Sequence, residues 1–480
     1  MRITQKKIMY LISFAFIFLF RFIPVSGMLS ADSMQMIGIF IGMLLLWNFA
    51  GIGWTSLLCM TLIVAFQIMT ATEIFANGLG NWVNSFLYAF FMISFVMSET
   101  GLSRRIAIWC ISNKYSRRSP WTFIVIFLFA SVFLSAFMSQ TAALLVFIPI
   151  AEEIFKELKL EKGTRLPQMI ILGLAMCVGI GSSMTPIGHA IVLIPIQFLA
   201  RDTGITIDVL NYSIFGILTG LLVFIAFMVI YKLIYRPDVA PLKNFDATKL
   251  RETLSPISKQ EKITAIVFVS VIVLWILQGT LSNFLPAFGK YLSSLGNAIP
   301  AFIGVIVLCI IEVDGKPIMD FKDASTKGVP WNTLIFNAAV LVLSAALVQD
   351  KLGVTTFLVE SVSPIVSRLS SFGFVLVATA LLVMLKQFIS STIMATVFYA
   401  LLIPIAIGVG NVNVVALTCI IAAGASYAWS TPPSTIPMSL AAGSGWVDLK
   451  VMLKYGLMLA VVGVVVLACV GYPVASWLFH

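Results

Sequence analysis

The 480-residue sequence predicts an all-α integral membrane protein. Its plan is two inverted-topology repeats with about 11 transmembrane helices, two re-entrant helical hairpins and two broken helices. Three observations carry that fold class. The chain is 60% hydrophobic and 10% charged, with a mean hydropathy of +1.05, whereas soluble domains hold about 25% charged residues. A polar cluster with a cation, Lys386-Gln-Phe-Ile-Ser-Ser-Thr392, lies inside an apolar run over residues 374–407. The same arrangement occurs earlier as Ser135-Ala-Phe-Met-Ser-Gln-Thr141. Phe137/Phe388, Ser139/Ser390 and Thr141/Thr392 coincide at a shift of 251 (388 − 137 = 390 − 139 = 392 − 141). Polar groups avoid hydrocarbon unless they face protein, water or a ligand. A polar tip repeated in both halves of a membrane chain points to a transporter site.

The net charge of +10 comes from basic residues spread over short loops between apolar spans. That is a membrane-topology pattern, and no nucleic-acid partner is expected. The lipid bilayer is the expected surrounding. The six cysteines (Cys59, Cys110, Cys177, Cys309, Cys419 and Cys469) lie mostly in apolar segments without metal-ligand spacing, and read as small core residues. Residues 8–25 are span-length and lack a small-residue cleavage site. They read as a first helix within an N-terminal segment 1–33, not as a signal peptide.

The first repeat is assigned to residues 34–235. Spans at 8–25, 34–50, 53–70 and 83–100 each approach the ~20 residues needed to cross ~30 Å of hydrocarbon. Arg2, Lys6 and Lys7 precede the first span, and Arg104, Arg105, Lys114, Arg117 and Arg118 follow the fourth. Four crossings return the chain to its starting side, so both clusters, and the N-terminus, are expected in the cytoplasm. Residues 102–112 form an amphipathic stretch suited to the interface. Residues 121–155 are apolar except for Ser139-Gln140-Thr141 at the midpoint, and Lys156, Lys159, Lys162 and Arg165 follow. Basic flanks on both sides predict a hairpin that opens to the cytoplasm. Each arm of about 15 residues covers only ~23 Å. Residues 168–200 are interrupted at 181–188, Gly-Ser-Ser-Met-Thr-Pro-Ile-Gly, where proline and glycine imply an unwound middle. A span at 212–235 leads to a polar cytoplasmic linker, 236–262.

The second repeat, 263–480, follows the same plan. Spans near 263–281, 297–312 and 331–349 precede the tip segment 373–408. A broken span, 412–442, is interrupted at Ser430-Thr-Pro-Pro-Ser434, and a last span covers 456–477. Three crossings from the linker leave this hairpin opening to the outside, where residues 350–372 hold only Lys351 and Arg368 as basic groups. The C-terminus is then outside, in a multi-pass protein of a cell (inner) membrane. Thr141 lies eight residues before Pro149 but Thr392 twelve before Pro404, which predicts one extra helical turn in the second exit arm. A register matching Met394-Ala-Thr396 to the first tip stays open.

An anion in this setting must meet groups that are already desolvated, because fresh desolvation costs several kcal/mol. Helix termini supply orphan N–H groups and positive dipole ends. Hydroxyls and amides add donors without fixed charge. The candidate substrate-binding residues are therefore Ser139, Gln140, Thr141, Thr185, Pro186, Ser390, Ser391, Thr392, Thr431, Pro432 and Pro433. His189, beside the first break, is either a substrate contact or a packing residue. Neither His189 nor His480 has an evident intramembrane partner, so no catalytic residue or cofactor is assigned. A membrane-embedded enzyme or a channel is the alternative of another class.

Two tips and two Thr-Pro breaks resemble the divalent anion:sodium symporter family, the solute carriers for di- and tricarboxylates and sulfate. The resemblance covers about residues 34–478, and Gly101-Leu-Ser-Arg-Arg105 and Val329-Pro-Trp331 also look like family positions. It implies a homodimer whose transport core moves like an elevator against a scaffold, carrying a small anion, with di- or tricarboxylate favoured. It also implies a sodium site from tip oxygens and broken-helix carbonyls, here Ser135, Ser139, Gln140 and Met184. The family tip typically reads Ser-Asn-Thr and its break Thr-Pro-Pro-Asn. This chain has Gln140 and Ser391 in place of the tip Asn, and both breaks lack the final Asn. The hydroxyl that ligates sodium four residues before the tip survives as Ser135 but is Lys386 in the second half. An ammonium there would substitute for the second sodium, leaving one-sodium symport or sodium-independent exchange.

Overall fold

The computed structural model describes residues 3–24, 29–245, 248–280, 285–296, 298–354, 356–357, 360–361, 369–389 and 391–479. Arg2, Arg368, Ser390, His480 and the side chains of Lys6 and Pro433 lie outside what is described. The chain is helical, and the described strands are a single two-residue pair. These are β1 (Glu312–Val313) and β2 (Lys316–Pro317), antiparallel. Asp314 and Gly315 join them with φ of 55° and 75°, a primed turn whose twist matches paired strands.

The first half runs α1 (Ile3–Leu19), α2 (Ala31–Phe49), α3 (Gly53–Ala65), α4 (Ala71–Asn77), α5 (Trp82–Glu99) and α6 (Leu102–Ile111). The first helix starts and stops earlier than its apolar run, giving way to a 3-10 turn over Phe20–Phe22, where Arg21 pairs with Asp32 at 3.3 Å. Ser30 and Ser33 close a capping box at the head of α2, satisfying donors that the helix cannot. The amphipathic α6 leaves Trp109 64% exposed. It is tied down by Arg104–Glu153 at 3.0 Å and Arg105–Glu261 at 2.8 Å.

The polar-tipped segment is a hairpin of α7 (Pro120–Ser135) and α8 (Gln140–Glu157). The interrupted segment is α9 (Arg165–Ser183) and α10 (Leu193–Thr203), and α11 (Val209–Ile230) runs on through a π turn to Tyr235. Every residue of α9 from Leu166 to Ser183 is buried. This helix is surrounded by protein, not lipid.

The second half repeats the order. α12 (Thr248–Glu252) lies in the linker, followed by α13 (Lys259–Thr280), α14 (Pro286–Ser294), α15 (Ala298–Ile310), α16 (Phe321–Asp323) and α17 (Trp331–Leu347). The second hairpin is α18 (Ser371–Lys386) and α19 (Ser391–Val409). The second broken helix is α20 (Val414–Gly424) and α21 (Ile436–Gly443). The last span is longer than its apolar run suggested, with α22 (Leu449–Val466) passing through a π turn into α23 (Tyr472–Leu478). Among the described residues, six helices have the length and apolarity to cross a bilayer, and six shorter apolar helices of 10–17 residues accompany them.

The broken helices organise the interior. The first half of one packs on the second half of the other: α9 against α21, and α10 against α20. They therefore run antiparallel, and their unwound middles meet. The two hairpins lean on the same pair, with α7 and α8 on α9, and α18 and α19 on α20.

Candidate functional site

Each hairpin tip docks on its own break through a threonine. Thr185 Oγ1 donates to the carbonyl of Ala136, and Thr431 Oγ1 donates to that of Gln387 at 2.5 Å. Ala136 and Gln387 are the residues that end α7 and α18. They stand 251 apart (387 − 136), the offset of the repeated tips. A helix end leaves carbonyls unpaired, and each Thr-Pro break supplies the donor. Pro186 and Pro432 lack an N–H and so cannot continue the preceding helix. α19 starts at Ser391, which puts Thr392 in its first turn. Thr396 lies a turn further and bonds back to the Thr392 carbonyl at 2.9 Å.

The second tip has a lysine at its centre. Lys386 is fully buried, and its Nζ donates to the Ile389 carbonyl at 3.1 Å and to the Ser434 carbonyl at 3.0 Å. Oxygens from the hairpin and from the break thus converge on the Lys386 side-chain nitrogen. The next residue, which the sequence did not single out, holds the break in place. Gln387 Nε2 donates to the Val383 carbonyl (2.8 Å) and the Tyr427 carbonyl (2.7 Å). Its Oε1 accepts from Trp429 N (2.9 Å) and Ser430 Oγ (2.8 Å). The buried amide is satisfied, and the unwound backbone over 427–431 is pinned to the hairpin.

The first tip carries no fixed charge. Ser135, also fully buried, donates to the Val132 carbonyl at 3.0 Å. Ser139 caps α8 by accepting from Ala142 N at 3.2 Å. Two glycines let the broken helix touch this tip: a Cβ on Gly181 would stand 2.2 Å from Ser135 Oγ, and one on Gly188 2.5 Å from the Ser135 carbonyl oxygen. Gly188 follows Thr185 by three residues, as Ser434 follows Thr431. The backbone facing Ser135 is thus at Gly181 and Gly188. Met184, named from sequence, sets its carbonyl against Gly216 and its side chain against Gly220, both on α11.

Gln140, at the start of α8, points its Nε2 at His189 Nε2, 3.2 Å away. His189 Nδ1 is 2.8 Å from Ser426 Oγ, just past the end of α20. One histidine therefore joins the first tip, the first break and the second break. Thr141 is half-buried and Thr392 buried, and the two make no side-chain hydrogen bond with one another. The structure gathers Gln140, His189 and Ser426 into one network, with Thr185 bonded separately to Ala136 and Gly188, and Lys386, Gln387, Thr431 and Ser434 into another. The close contact of the two glycines with Ser135, and the role of Gln387, were missed because each acts by proximity to a segment far away in the chain. Only the rarity of a Gln beside an intramembrane Lys could have flagged the latter.

Comparison with known proteins agrees with this architecture. Residues 4–480 match the family model described as the sodium:sulfate symporter transmembrane region. The sodium-dependent dicarboxylate transporter SdcS of Staphylococcus saprophyticus subsp. saprophyticus is 27% identical over 438 residues, covering 87% of this chain and 81% of that protein. Its namesake in Staphylococcus aureus (strain USA300) is 25% identical, with 88% and 81% coverage. An uncharacterized transporter of Haemophilus influenzae is 28% identical over 72% of each chain. The crystal structure of the Alcanivorax borkumensis YdaH transporter, described as having an unusual topology, superposes with a TM-score of 0.57 at 15% identity, covering 85% and 87%; that likeness is one of fold. The family and these relatives are transporters, not enzymes. The chain belongs to the sodium:sulfate symporter family and is a multi-pass membrane transporter of anions.

Proposed function

We propose that this protein carries a small dicarboxylate together with one sodium ion, and that the Lys386 ammonium takes the place of a second sodium. The observation that carries this reading is the pair of bonds from Lys386 Nζ to the Ile389 and Ser434 carbonyls. Carbonyl oxygens from a tip and a break are the ligands an alkali ion would use, and here a tethered cation holds them. At the matching place in the first half stands the neutral Ser135, which leaves that site open to sodium with Ser139 and Gln140. Thr141 and Thr392, in the first turns of α8 and α19, have donors and helix-terminal N–H groups suited to the two carboxylates.

The charge balance favours this stoichiometry. A dicarboxylate, one sodium and Lys386 sum to zero, so the loaded core crosses the bilayer without net charge. An empty core carries the lone ammonium, and a charge at mid-bilayer costs about 3 kcal/mol even on insertion scales. Exchange of internal for external anion is therefore faster than net uptake. The antiparallel packing of the broken helices supports an inverted-repeat, elevator-type core. The basic flanks support a cytoplasmic N-terminus, and the resemblance supports a homodimer.

Uptake into proteoliposomes tests the stoichiometry. Succinate uptake is expected to rise first-order with sodium and to accelerate when the vesicles are loaded with succinate. Lys386→Thr is expected to make the sodium dependence steeper than first order. A wild-type protein that already needs two sodium ions would refute the substitution, and sodium-independent exchange would leave the lysine reading standing without the symport.

A further inference from the structure

We propose that His189 is a positioning residue: it turns the Gln140 carboxamide so that its oxygen faces the cation, and so sets how tightly the first hairpin takes sodium. The inference rests on the reading that sodium binds there. A chain of hydrogen bonds anchored at an acceptor-only end carries it. The Ala422 carbonyl can only accept, and Ser426 Oγ donates to it at 3.3 Å. In that arrangement Ser426 Oγ accepts from His189 Nδ1 at 2.8 Å, with the ring proton on Nδ1. His189 Nε2 then holds a lone pair, so the Gln140 atom 3.2 Å from it is the donor Nε2. The three bonds share one consistent set of directions, running from the Gln140 N–H to the Ala422 carbonyl in α20.

The consequence falls on the other end of the amide. Gln140 Oε1 is buried and has no hydrogen-bond partner among the described residues. A buried acceptor left unpaired costs about 1–3 kcal/mol, and a cation beside it removes that cost. A carboxamide is ambivalent: it offers oxygen to a cation or, after a flip, N–H to an anion. The flip would set Oε1 against the lone pair of His189 Nε2, two acceptors facing each other. His189 therefore holds Gln140 in the form that ligates a cation, and the anion is left to Thr141 and the N–H groups of α8.

Sodium-dependent thermal stabilisation of the purified protein without substrate tests the proposal, with choline chloride holding ionic strength constant. His189→Phe removes the acceptor, and Ser426→Ala releases the tautomer. Each is expected to raise the half-saturating sodium concentration about tenfold, the scale of one hydrogen bond to a charged group. The half-saturating succinate concentration at saturating sodium is expected to change less than about twofold, because the anion's donors are untouched. His189→Gln, which can accept from Gln140 and donate to Ser426, is expected to restore the sodium response. If His189→Phe does not fold, Ser426→Ala alone decides. Unchanged sodium affinity in a folded variant, or equal weakening of sodium and succinate, overturns the positioning role while one-sodium binding stands. A wild-type protein that binds succinate but shows no sodium response overturns both.

Discussion

At the scale of the residue, the second tip depends on one amide. Gln387 uses both N–H groups and both oxygen lone pairs of its side chain on groups that water cannot reach. Its own backbone carbonyl receives Thr431. Gln387→Ala strands the Tyr427 carbonyl, the Trp429 N–H and the Ser430 hydroxyl at once. At about 1–3 kcal/mol for a buried group left without its partner, the variant is expected to lose at least about 3 kcal/mol of stability. Thermal melts in detergent would register this as a large fall in Tm. Gln387→Glu, protonated, keeps an acceptor for Trp429 N and Ser430 and one donor for a carbonyl, so its melting point is expected between the two. A Gln387→Ala protein as stable as wild type would mean that the break holds itself. The first half has Ala136 at this position, so the two breaks are held by different means.

At the scale of the element, the first hairpin reaches its break only because two turns of backbone lack side chains. A Cβ on Gly181 would stand 2.0 Å from the Val132 carbonyl oxygen, and one on Gly188 2.9 Å from Ser182 Cα. Those neighbours are backbone atoms and cannot rotate aside, so overpacking of about 1–3 kcal/mol is the expected cost. Gly181→Ala and Gly188→Ala should therefore push Ser135 away from the break and weaken sodium-dependent thermal stabilisation. At Gly443, the end of α21, a Cβ would meet nothing within 4 Å, and Gly443→Ala provides the neutral control. Sodium responses alike in all three variants would separate the close approach from the ion site. In the second half the glycine facing the hairpin is Gly424, where a Cβ would stand 2.8 Å from Leu382 Cδ2, a side-chain atom and not backbone. There the lysine chain spans the gap that close backbone contact closes in the first.

At the scale of the whole molecule, two broken helices lie antiparallel, and two hairpins point polar tips at their unwound middles. Antiparallel breaks put a positive helix end from each half at the centre, where an anion can meet both. The expected orientation has a direct consequence for labelling. In a background without native cysteines, Glu161→Cys, beyond the first hairpin, should react with an impermeant maleimide only from the cytoplasmic face. Asn411→Cys, beyond the second hairpin, should react only from the outside. Both positions are exposed, so failure to label reports topology and not burial. Labelling of both from one side would remove the inverted arrangement.

The sequence by itself determined that this chain lives in a membrane, where its helices break and which two clusters form the tips. Those features are local: hydropathy over a window, a proline after a threonine, a serine-rich turn inside an apolar run. Lys386 could be marked in advance because a charge in hydrocarbon demands a partner. What it bonds to could not be known, since the Ser434 carbonyl lies 48 residues on and in another element. The tertiary structure alone decided that Gly181 and Gly188 face Ser135. It alone made Gln387 a hub and set His189 between Gln140 and Ser426. Each of these is a distance between backbone segments remote in sequence, fixed by the packing of α9 on α21 and α10 on α20. Composition and spacing carry no record of that packing, because many arrangements of the same apolar helices would bury the same side chains.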